Sequence, residues 1–348
     1  MNKVVSFTAS RVAEVVEEPV RPMTEHDVRV RTLFSGISAG TELTAYRGTN
    51  PYLTKQWDNR LRLFVDGTAS REYPLLGWGY EEVGEVVEIG AAVEGLSVGD
   101  RIWGTWGHRS ETVVTGEYTR GRVLAPEVNP RVGMFSQIGG IALNVVLDAD
   151  IHVGETVAVF GLGVPGQLVA QLARLNGARV IAVDGVASRR ELALELGAAE
   201  ALDPADGEVA ERIRARTDGR GADVCLEVTG NYAALHEAIR SVAYSSRVCA
   251  AGFMQGDGIG LRLGEEFHHN RVQVVSTQIS GVAPALQHRW NRFRLDSTAM
   301  SLAESGALRV TELISHTFPL ERAAEAFQLL DGASQDVLQV VLQVGDSA

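Results

Sequence analysis

The period of the apolar residues changes repeatedly between residues 156 and 276, and these changes predict alternating strands and helices. Thr156 to Phe160 is a short β-branched run, typical of a buried parallel strand. Gln167 to Leu175 follows, with its apolar residues on one helical face. Arg179 to Val183 is a second apolar strand, which stops at Asp184. Strand, helix and strand in this order predict the start of a doubly wound parallel sheet in an α/β protein.

The alternation continues after Asp184, whereas the two ends of the chain have other patterns. The further helices and strands predicted for this sheet are Ser188–Leu196, Ala199–Leu202, Glu208–Arg216, Asp223–Val228, Tyr232–Val242, Arg247–Ala251 and Val272–Ser276. Residues 1–125 are rich in Gly and Pro and predict short strands, while residues 281–348 predict two amphipathic helices and a last strand. We therefore expect a domain of residues 126–280, inserted into a β-rich domain made of the two ends.

Three glycines follow the first strand in the spacing G-x-G-x-x-G, at Gly161, Gly163 and Gly166. The first glycine permits a tight turn, the second lets a pyrophosphate approach the backbone, and the third lets helix and strand pack closely. Asp184 lies where a carboxylate accepts hydrogen bonds from the adenosine ribose and repels a 2′-phosphate, which favours NAD over NADP. The alternative is a glycine-rich turn that binds nothing, but the complete strand–helix–strand context favours a dinucleotide site.

Composition limits the classes of partner. The 348 residues suggest two domains, and 45% hydrophobic with 22% charged residues is the profile of a globular protein. A net charge of −12 argues against nucleic acid or an anionic membrane as the main partner. We expect no membrane-spanning segment and find no signal-peptide pattern at the start, so a cytoplasmic location is the default.

Five segments together resemble the medium-chain dehydrogenase/reductase superfamily of zinc alcohol dehydrogenases and quinone reductases. They are Gly36–Glu42 (GISAGTE), Pro74–Val87, Val98–Arg101, His152–Gly166 and Phe318–Phe327. The resemblance implies a Rossmann NAD-binding domain and a β-rich GroES-like catalytic domain, with the active site in the cleft between them. Within the superfamily, GISAGTE and GYEEVGEVV most resemble the branch of bacteriochlorophyllide dehydrogenase and related sugar, cyclitol and polyol dehydrogenases.

The zinc-binding positions of the superfamily carry other residues in this chain. Ser38 stands at the position of a ligand cysteine, Tyr80 at that of the histidine in G-H-E, and Gln137 or Gly139 at that of a later ligand. Of the two polar residues of the G-H-E motif, only the glutamate is retained, as Glu81. Tetrahedral zinc needs about three thiolate, imidazole or carboxylate ligands, and serine, tyrosine and glutamine are poor substitutes. We therefore predict an enzyme without a metal site.

The cysteines and a pair of histidines do not change this prediction. Cys225 and Cys249 lie in apolar runs and are expected to be buried and reduced, without a disulfide. Since no cysteine precedes Cys225, the four-cysteine lobe of a structural zinc is absent. His268 and His269 are adjacent and point in different directions on most backbones, so we expect a surface pair.

Without zinc, a side chain must manage the proton of the substrate hydroxyl. The resemblance offers Thr41 at the proton-relay position, Tyr80 in the ligand-histidine position, and Glu81 and Glu42 beside them. His108, in the loop WGTWGHRSE, has an ordinary pKa suited to proton transfer near neutrality. Each has an alternative role: Tyr80 as filler of the metal site, the two glutamates as structural caps of backbone N–H groups, and His108 as an exposed loop residue.

The expected NAD contacts are spread over the turn and the strand ends. On the adenosine and pyrophosphate side they are Gly161, Leu162, Gly163, Val164, Pro165, Gly166, Asp184, Gly185 and Arg189. At the carboxyl ends of later strands, which face the ligand crevice in such sheets, they are Thr229, Gly230, Gly252, Phe253, Ser276, Thr277 and Gln278.

The function expected from these residues and the resemblance is a zinc-independent, NAD(H)-dependent oxidoreductase. It would transfer hydride between nicotinamide and a secondary alcohol of a sugar, cyclitol or polyol. The alternatives are a zinc-free, NADPH-dependent quinone or enone reductase and a non-catalytic NAD-binding protein. The superfamily resemblance implies a homodimer or homotetramer, and the loop from Tyr46 to Glu72 is expected to influence which small molecule is bound.

Overall fold

The computed structural model describes residues 1–332 and 337–345. The chain forms two compact units, a terminal unit of Met1–Gln137 with Ile314–Ala348 and a central unit of Ile138–Leu313. An insertion of one unit into the other is therefore observed, but its bounds differ from those expected. Residues 126–137 lie in the terminal unit, and residues 281–313 lie in the central unit.

The elements alternate along the chain as follows. The strands are β1 (Asn2–Ala9), β2 (Val12–Glu18), β3 (Asp27–Ile37), β4 (Gln56–Asp58), β5 (Leu63–Val65), β6 (Leu75–Leu76), β7 (Glu82–Ile89), β8 (Arg101–Gly104), β9 (Glu111–Thr115), β10 (Thr156–Phe160), β11 (Arg179–Val183), β12 (Glu200–Leu202), β13 (Ala222–Glu227), β14 (Val242–Ala250), β15 (Gln273–Ser276), β16 (Ile314–Pro319) and β17 (Gln339–Gln343). The α-helices are α1 (Ala39–Arg47), α2 (Gly116–Thr119), α3 (Ser136–Ala149), α4 (Val164–Leu175), α5 (Ala187–Glu195), α6 (Val209–Ala215), α7 (Tyr232–Ser241), α8 (Arg292–Glu304) and α9 (Ala323–Asp331). A π turn covers Leu263–Phe267, and 3₁₀ segments include Pro130–Phe135 and Leu320–Arg322.

The central unit is built on a parallel sheet with strand order β12-β11-β10-β13-β14-β15. In its middle strand, Ala158 lies opposite Ile181 of β11 and Cys225 of β13. All five residues of β10 are buried, which explains why its sequence is apolar without alternation. This order confirms the predicted doubly wound fold. Cys225 and Cys249 are buried and form no disulfide, as expected.

Helix α8 belongs to the central unit because it packs on α3. A Cβ added at Gly139 would lie 2.9 Å from Cβ of Ala299, and one at Gly140 would lie 2.2 Å from Oδ1 of Asp296. Both glycines thus permit close approach of the two helices. The loss of strand–helix alternation after Ser280 was expected to mark a change of domain, but this helix continues the central unit instead.

The terminal unit is β-rich. Its larger sheet has the order β16-β17-β3-β7-β8, with β9 also paired to β3, and a second sheet has the order β2-β1-β6. Between the sheets and α9, the rings of Phe7, Tyr46 and Phe327 pack with centroids 4.9 to 5.7 Å apart. Strand β3 leads directly into α1 at Ser38, the N-cap residue. This connection positions the site described below.

The stretch Pro130–Ala149 is, by length and composition, apolar enough to cross a membrane, contrary to the expectation from the sequence. In the most apolar part of this stretch, 78% of the residues are buried inside the protein. Burial of this kind is typical of a core helix and accounts for the apolar sequence without a bilayer.

Candidate active site

Strand pairing brings three hydroxyl groups together at one end of β3. Ser35 of β3 lies opposite Glu82 of β7, so Ser38, which follows β3, meets Tyr80, which precedes β7. The Ser38 hydroxyl hydrogen-bonds with the Tyr80 phenol, although 42 residues separate them in the chain. The phenol in turn donates to Oγ1 of Thr41 at 3.3 Å. Because the Tyr80 proton is used in that bond, Ser38 is the donor to Tyr80.

A buried network of charged groups supports this hydroxyl cluster. Glu42 accepts the Ser38 backbone N–H through Oε1 at 2.8 Å and contacts Nε2 of His108 through Oε2 at 2.5 Å. His108 Nδ1 lies 2.7 Å from the Ser35 hydroxyl, which donates to Oε1 of Glu82 at 3.1 Å. With the Ser35 proton donated to Glu82, Nδ1 of His108 is the donor to Ser35, and Nε2 is the donor to the Glu42 carboxylate. The structure therefore favours an imidazolium paired with the Glu42 carboxylate.

Local charges explain the protonation of His108. Burial lowers the pKa of His108, but the carboxylates of Glu42 and Glu82 outweigh burial and the net pKa is raised. Gly79 makes room for the ring, because a Cβ there would lie 2.8 Å from Cε1 of His108. With φ of +117°, Gly79 also has a backbone conformation that other residues rarely adopt.

Glu81 is buried without a hydrogen bond to either carboxylate oxygen in residues 1–332 and 337–345. Burial raises the pKa of Glu81 well above its ordinary value, and the nearby charges of Glu42 and Glu82 raise it further. Polar groups of Ser38 and Gln339 offset only part of this rise. Glu81 therefore takes up a proton more readily than an ordinary glutamate.

The predicted catalytic residues differ in their access to a substrate. Tyr80 and Thr41 are partly exposed, whereas Glu42 and His108 are 0% exposed and Glu81 is 1% exposed. Tyr80 and Thr41 can therefore contact a substrate directly. The buried side chains of Glu42, His108 and Glu81 can act only through these two residues. The expectation that His108 is an exposed loop residue is wrong, because Glu42, Ser35 and Gly79 enclose its ring.

The residues at the superfamily's zinc position do not fit a zinc ion. Ser38 and Tyr80 offer neutral hydroxyl groups that are bonded to each other, and burial followed by the charge of Glu81 raises the pKa of the phenol. Burial disfavours the carboxylate form of Glu81, which is the form that binds zinc. Gly139 has no side chain that could bind a metal ion, and Gln137 offers only a neutral amide. Of the residues that the structure describes, no three thiolate, imidazole or carboxylate groups converge here.

The turn between β10 and α4 fits a dinucleotide. Gly161 has φ of +94°, and its added Cβ would lie 2.5 Å from Cγ2 of Thr229. A Cβ at Gly166 would lie 1.9 Å from the carbonyl oxygen of Gly161, whereas one at Gly163 meets only Cδ of Pro165, at 4.0 Å. The first and third glycines are therefore required by packing. The second leaves open space in front of the helix N-terminus, where a pyrophosphate is expected.

Asp184 lies immediately beyond β11 and is fixed by backbone groups. Its carboxylate accepts the N–H of Leu162 at 2.7 Å and that of Val186 at 2.8 Å. These bonds use two of about four acceptor positions, so the carboxylate can still accept from a ribose. Arg190, which the sequence did not indicate, donates to the Asp184 carbonyl at 2.8 Å and pairs with Asp203 at 2.7 Å.

The other residues of the adenosine side lie on or beside α4 and α5. A Cβ at Gly185 would meet nothing within 4 Å, so the backbone is open there. Arg189 is in the first half of α5, and its carbonyl accepts from the Gln167 amide at 2.8 Å. Val164 and Pro165 form the first turn of α4. Gln167 was not predicted as a site residue, yet it holds these two helices together.

The ends of β13 and β14 approach each other closely. A Cβ at Gly252 would lie 2.0 Å from the nitrogen of Gly230, and one at Gly230 would lie 2.9 Å from the carbonyl oxygen of Phe253. Glu227, the last residue of β13, accepts the N–H groups of Thr229 at 2.7 Å and Gly230 at 3.0 Å. The predicted nicotinamide residues of these two strands are thus brought together.

Glu227 is a functional candidate that the sequence analysis missed. It is 0% exposed, and burial raises its pKa, although hydrogen bonds from Thr229 and from backbone N–H groups offset part of the rise. The sequence feature that could have indicated Glu227 is a carboxylate at the last position of a buried strand. At the next strand end, Ser276 closes β15, the Thr277 N–H donates to the Ala250 carbonyl at 3.1 Å, and the Gln278 side chain accepts the Ser280 N–H at 2.6 Å.

The chain is similar to known dehydrogenases along most of its length. A family model described as the alcohol dehydrogenase GroES-like domain matches residues 24–156, and one described as zinc-binding dehydrogenase matches residues 165–294. The chain is 30% identical over 334 residues to D-guloside 3-dehydrogenase of Escherichia coli K12, with 94% of this chain and 95% of that protein covered. The chain belongs to the medium-chain dehydrogenase/reductase superfamily.

Other members of this superfamily extend the likeness. L-threonine 3-dehydrogenase of Pyrococcus horikoshii is 28% identical over 348 residues, with 91% of this chain and 92% of that protein covered. The crystal structure of 2R,3R-butanediol dehydrogenase of Bacillus subtilis has a TM-score of 0.79 at 22% identity and 99% coverage of both chains. An NADP-bound dehydrogenase from Sinorhizobium meliloti has a TM-score of 0.79 at 23% identity, also with 99% of both chains covered. The chain is therefore an oxidoreductase of the alcohol and polyol dehydrogenase type.

Proposed function

We propose that this protein is a zinc-independent, NAD(H)-dependent dehydrogenase of a secondary alcohol on a sugar, cyclitol or similar polar ring. The observation that carries the proposal is the hydroxyl cluster of Tyr80, Ser38 and Thr41 at the position where zinc members have metal ligands. The relative named D-guloside 3-dehydrogenase supports a sugar-like substrate.

The proposed preference for NAD rests on Asp184. When bound, NAD supplies the acceptor for the hydride from the substrate carbinol carbon. The open backbone at Gly163 and the N-terminus of α4 would hold its pyrophosphate. The Asp184 carboxylate, fixed by Leu162 and Val186, would accept from the ribose hydroxyls and repel a 2′-phosphate.

The hydroxyl cluster can move the substrate proton without ionising the phenol. As a substrate hydroxyl gives its proton to the Tyr80 oxygen, Tyr80 passes its own proton to Oγ1 of Thr41. Thr41 is partly exposed and can release a proton to water. This exchange suits a phenol whose pKa is raised by burial and by Glu81, because no tyrosinate accumulates.

The buried groups hold the cluster in place. Glu42 anchors the Ser38 backbone, and His108 compensates the Glu42 charge. Ser38 in turn donates to Tyr80 and fixes the orientation of the phenol. The raised pKa of Glu81 disfavours a second negative charge beside Tyr80. We assign Glu42, His108 and Glu81 as positioning residues and reserve substrate contact for Tyr80 and Thr41.

Substitution of Tyr80 by Phe tests the proposal. Loss of the relay hydroxyl is expected to lower kcat about 10²-fold or more while leaving the Kd of NAD unchanged. The matched control is Tyr73→Phe, which removes a phenol that donates to the Ala45 carbonyl at 2.6 Å in the same unit. The variants are compared at saturating NAD with a panel of sugars, cyclitols and polyols.

Three results would contradict the proposal. Equal kcat for Tyr80→Phe and Tyr73→Phe would remove Tyr80 from proton transfer. Activity of the wild type that requires one stoichiometric zinc ion in the terminal unit would refute zinc independence. Preference of the wild type for NADPH with quinones would support the reductase alternative instead.

A further inference from the structure

Helix α7 carries a buried histidine whose ring has no hydrogen bond. His236 is 6% exposed, and neither Nδ1 nor Nε2 bonds to any other described residue. A neutral imidazole has one N–H donor and one acceptor nitrogen, and burial of both without partners costs free energy. Such a group in a native protein calls for a partner that the polypeptide does not supply.

Two carboxylates on the π turn before β15 face this ring. His236, Glu265 and Glu266 each present a ligand atom, and the three atoms lie within 4.8 Å of one another. Oε2 of Glu266 is buried and accepts no hydrogen bond among the described residues, while Oε1 lies 3.4 Å from Nε of Arg240. One oxygen of Glu265 accepts from Arg262 at 2.8 Å, which leaves the other oxygen available.

The charges around the three groups favour a cation. The neighbouring ionised groups are the carboxylates of Glu208, Glu237, Glu265 and Glu266 and the guanidinium groups of Arg240 and Arg262. Together they leave two negative charges uncompensated. Arg240 already pairs with Glu208 at 2.6 Å and Glu237 at 2.5 Å, so it does not depend on Glu266. A divalent ion would balance the cluster.

We propose that His236, Glu265 and Glu266 bind one divalent transition-metal ion, with zinc as the best match to one imidazole and two carboxylates. In a tetrahedral site, ligand atoms that each lie about 2.1 Å from one ion are about 3.4 Å from one another, so the three side chains need to close by at most about 1.4 Å. The Glu265 side chain is 52% exposed, so water can complete the coordination shell.

The ion would have a structural role. It would link α7 to the turn of Leu263–Phe267, which precedes the last strand of the central sheet. Ser38 and Tyr80 belong to the other unit, so none of the three proposed ligands is part of the hydroxyl cluster. Because the ion binds the folded chain through residues far apart in sequence, it would raise the stability of the central unit.

Zinc titration of the full-length, chelator-treated protein tests this proposal. Calorimetry is expected to show one zinc ion per chain, and Tm is expected to rise by about 5 °C at a zinc concentration about 100 times Kd. In His236→Leu both effects should be lost, and Tm in EDTA should equal or exceed that of the wild type because two unpaired nitrogens are removed. Glu266→Gln provides a second variant and should also lose the zinc effect.

Two controls separate this site from others. His268 and His269 are exposed side by side with ring centroids 5.3 Å apart, as predicted for a surface pair, and His268→Ala/His269→Ala should retain zinc binding. Glu81→Gln in the terminal unit should retain it as well. Zinc binding that survives in both His236→Leu and Glu266→Gln, or that either control abolishes, would overturn the proposal. So would a wild type that binds no zinc.

Discussion

Gly166→Ala and Gly163→Ala, both in the nucleotide-binding turn, are expected to affect different properties. The first should lower the stability of the protein, and the second should lower its affinity for NAD. At residue 166 a Cβ would lie 1.9 Å from the carbonyl oxygen of Gly161 and 2.8 Å from its carbonyl carbon. At residue 163 it would meet only Cδ of Pro165, at 4.0 Å. Gly163 has φ of −63° and ψ of −176°, which alanine adopts without strain.

The distances give the size of each effect. Gly166→Ala must open the turn by about 1.5 Å to reach an ordinary contact of 3.4 Å, and its obstacle is backbone rather than a mobile side chain. Overpacking of this kind lowers the free energy of unfolding by about 3 kcal/mol. The better helix propensity of alanine raises it by about 1 kcal/mol. The net loss of about 2 kcal/mol corresponds to a decrease in Tm of about 4–8 °C for a unit of this size.

Gly163→Ala is expected to change stability by less than about 0.5 kcal/mol. Its methyl group would occupy the space through which a pyrophosphate approaches the backbone, so the Kd of NAD should rise about tenfold or more, equivalent to about 1.4 kcal/mol. Thermal unfolding without ligand and calorimetric titration with NAD measure the two effects separately. Unchanged NAD affinity in Gly163→Ala, or an unchanged Tm in Gly166→Ala, would refute this assignment of the turn.

Three further predictions concern charged residues. Asp184→Asn removes the charge expected to repel a 2′-phosphate, so the ratio of kcat/KM for NAD over NADP should fall about tenfold, and a wild type that prefers NADP would contradict the reasoning. Glu81→Gln should raise Tm, and the rise should grow as pH increases above 4.5. Above that pH the glutamate ionises more readily in the unfolded state than in the native state, which destabilises the native wild type. A difference in Tm between variant and wild type that does not depend on pH would argue against this. His108→Gln leaves the Glu42 carboxylate without its charged partner, so the free energy of unfolding measured with urea should fall by about 3–5 kcal/mol. This decrease should become smaller as pH rises through the raised pKa of His108.

Local patterns predicted the central unit well because each of its signals lies within a few residues. The strands at 156–160 and 179–183 have the predicted bounds, since a strand buried on both faces requires a continuous apolar run. The glycine spacing predicted the turn for a similar reason, because the contact between Gly166 and Gly161 joins residues only five positions apart. The domain bounds were less well predicted, since the packing of α8 on α3 depends on small residues far from that helix in sequence.

The sequence by itself determined the parallel sheet, the glycine turn and the carboxylate after β11, because local periodicity and backbone conformation encode them. Only the tertiary structure decided how the candidate catalytic residues are used. Pairing of β3 with β7 brings Tyr80 to Ser38, and Glu42 meets His108 across 66 residues of chain. Burial then fixes which groups are charged and which reach a substrate, and burial is a property of the whole packed unit that no short stretch of sequence contains.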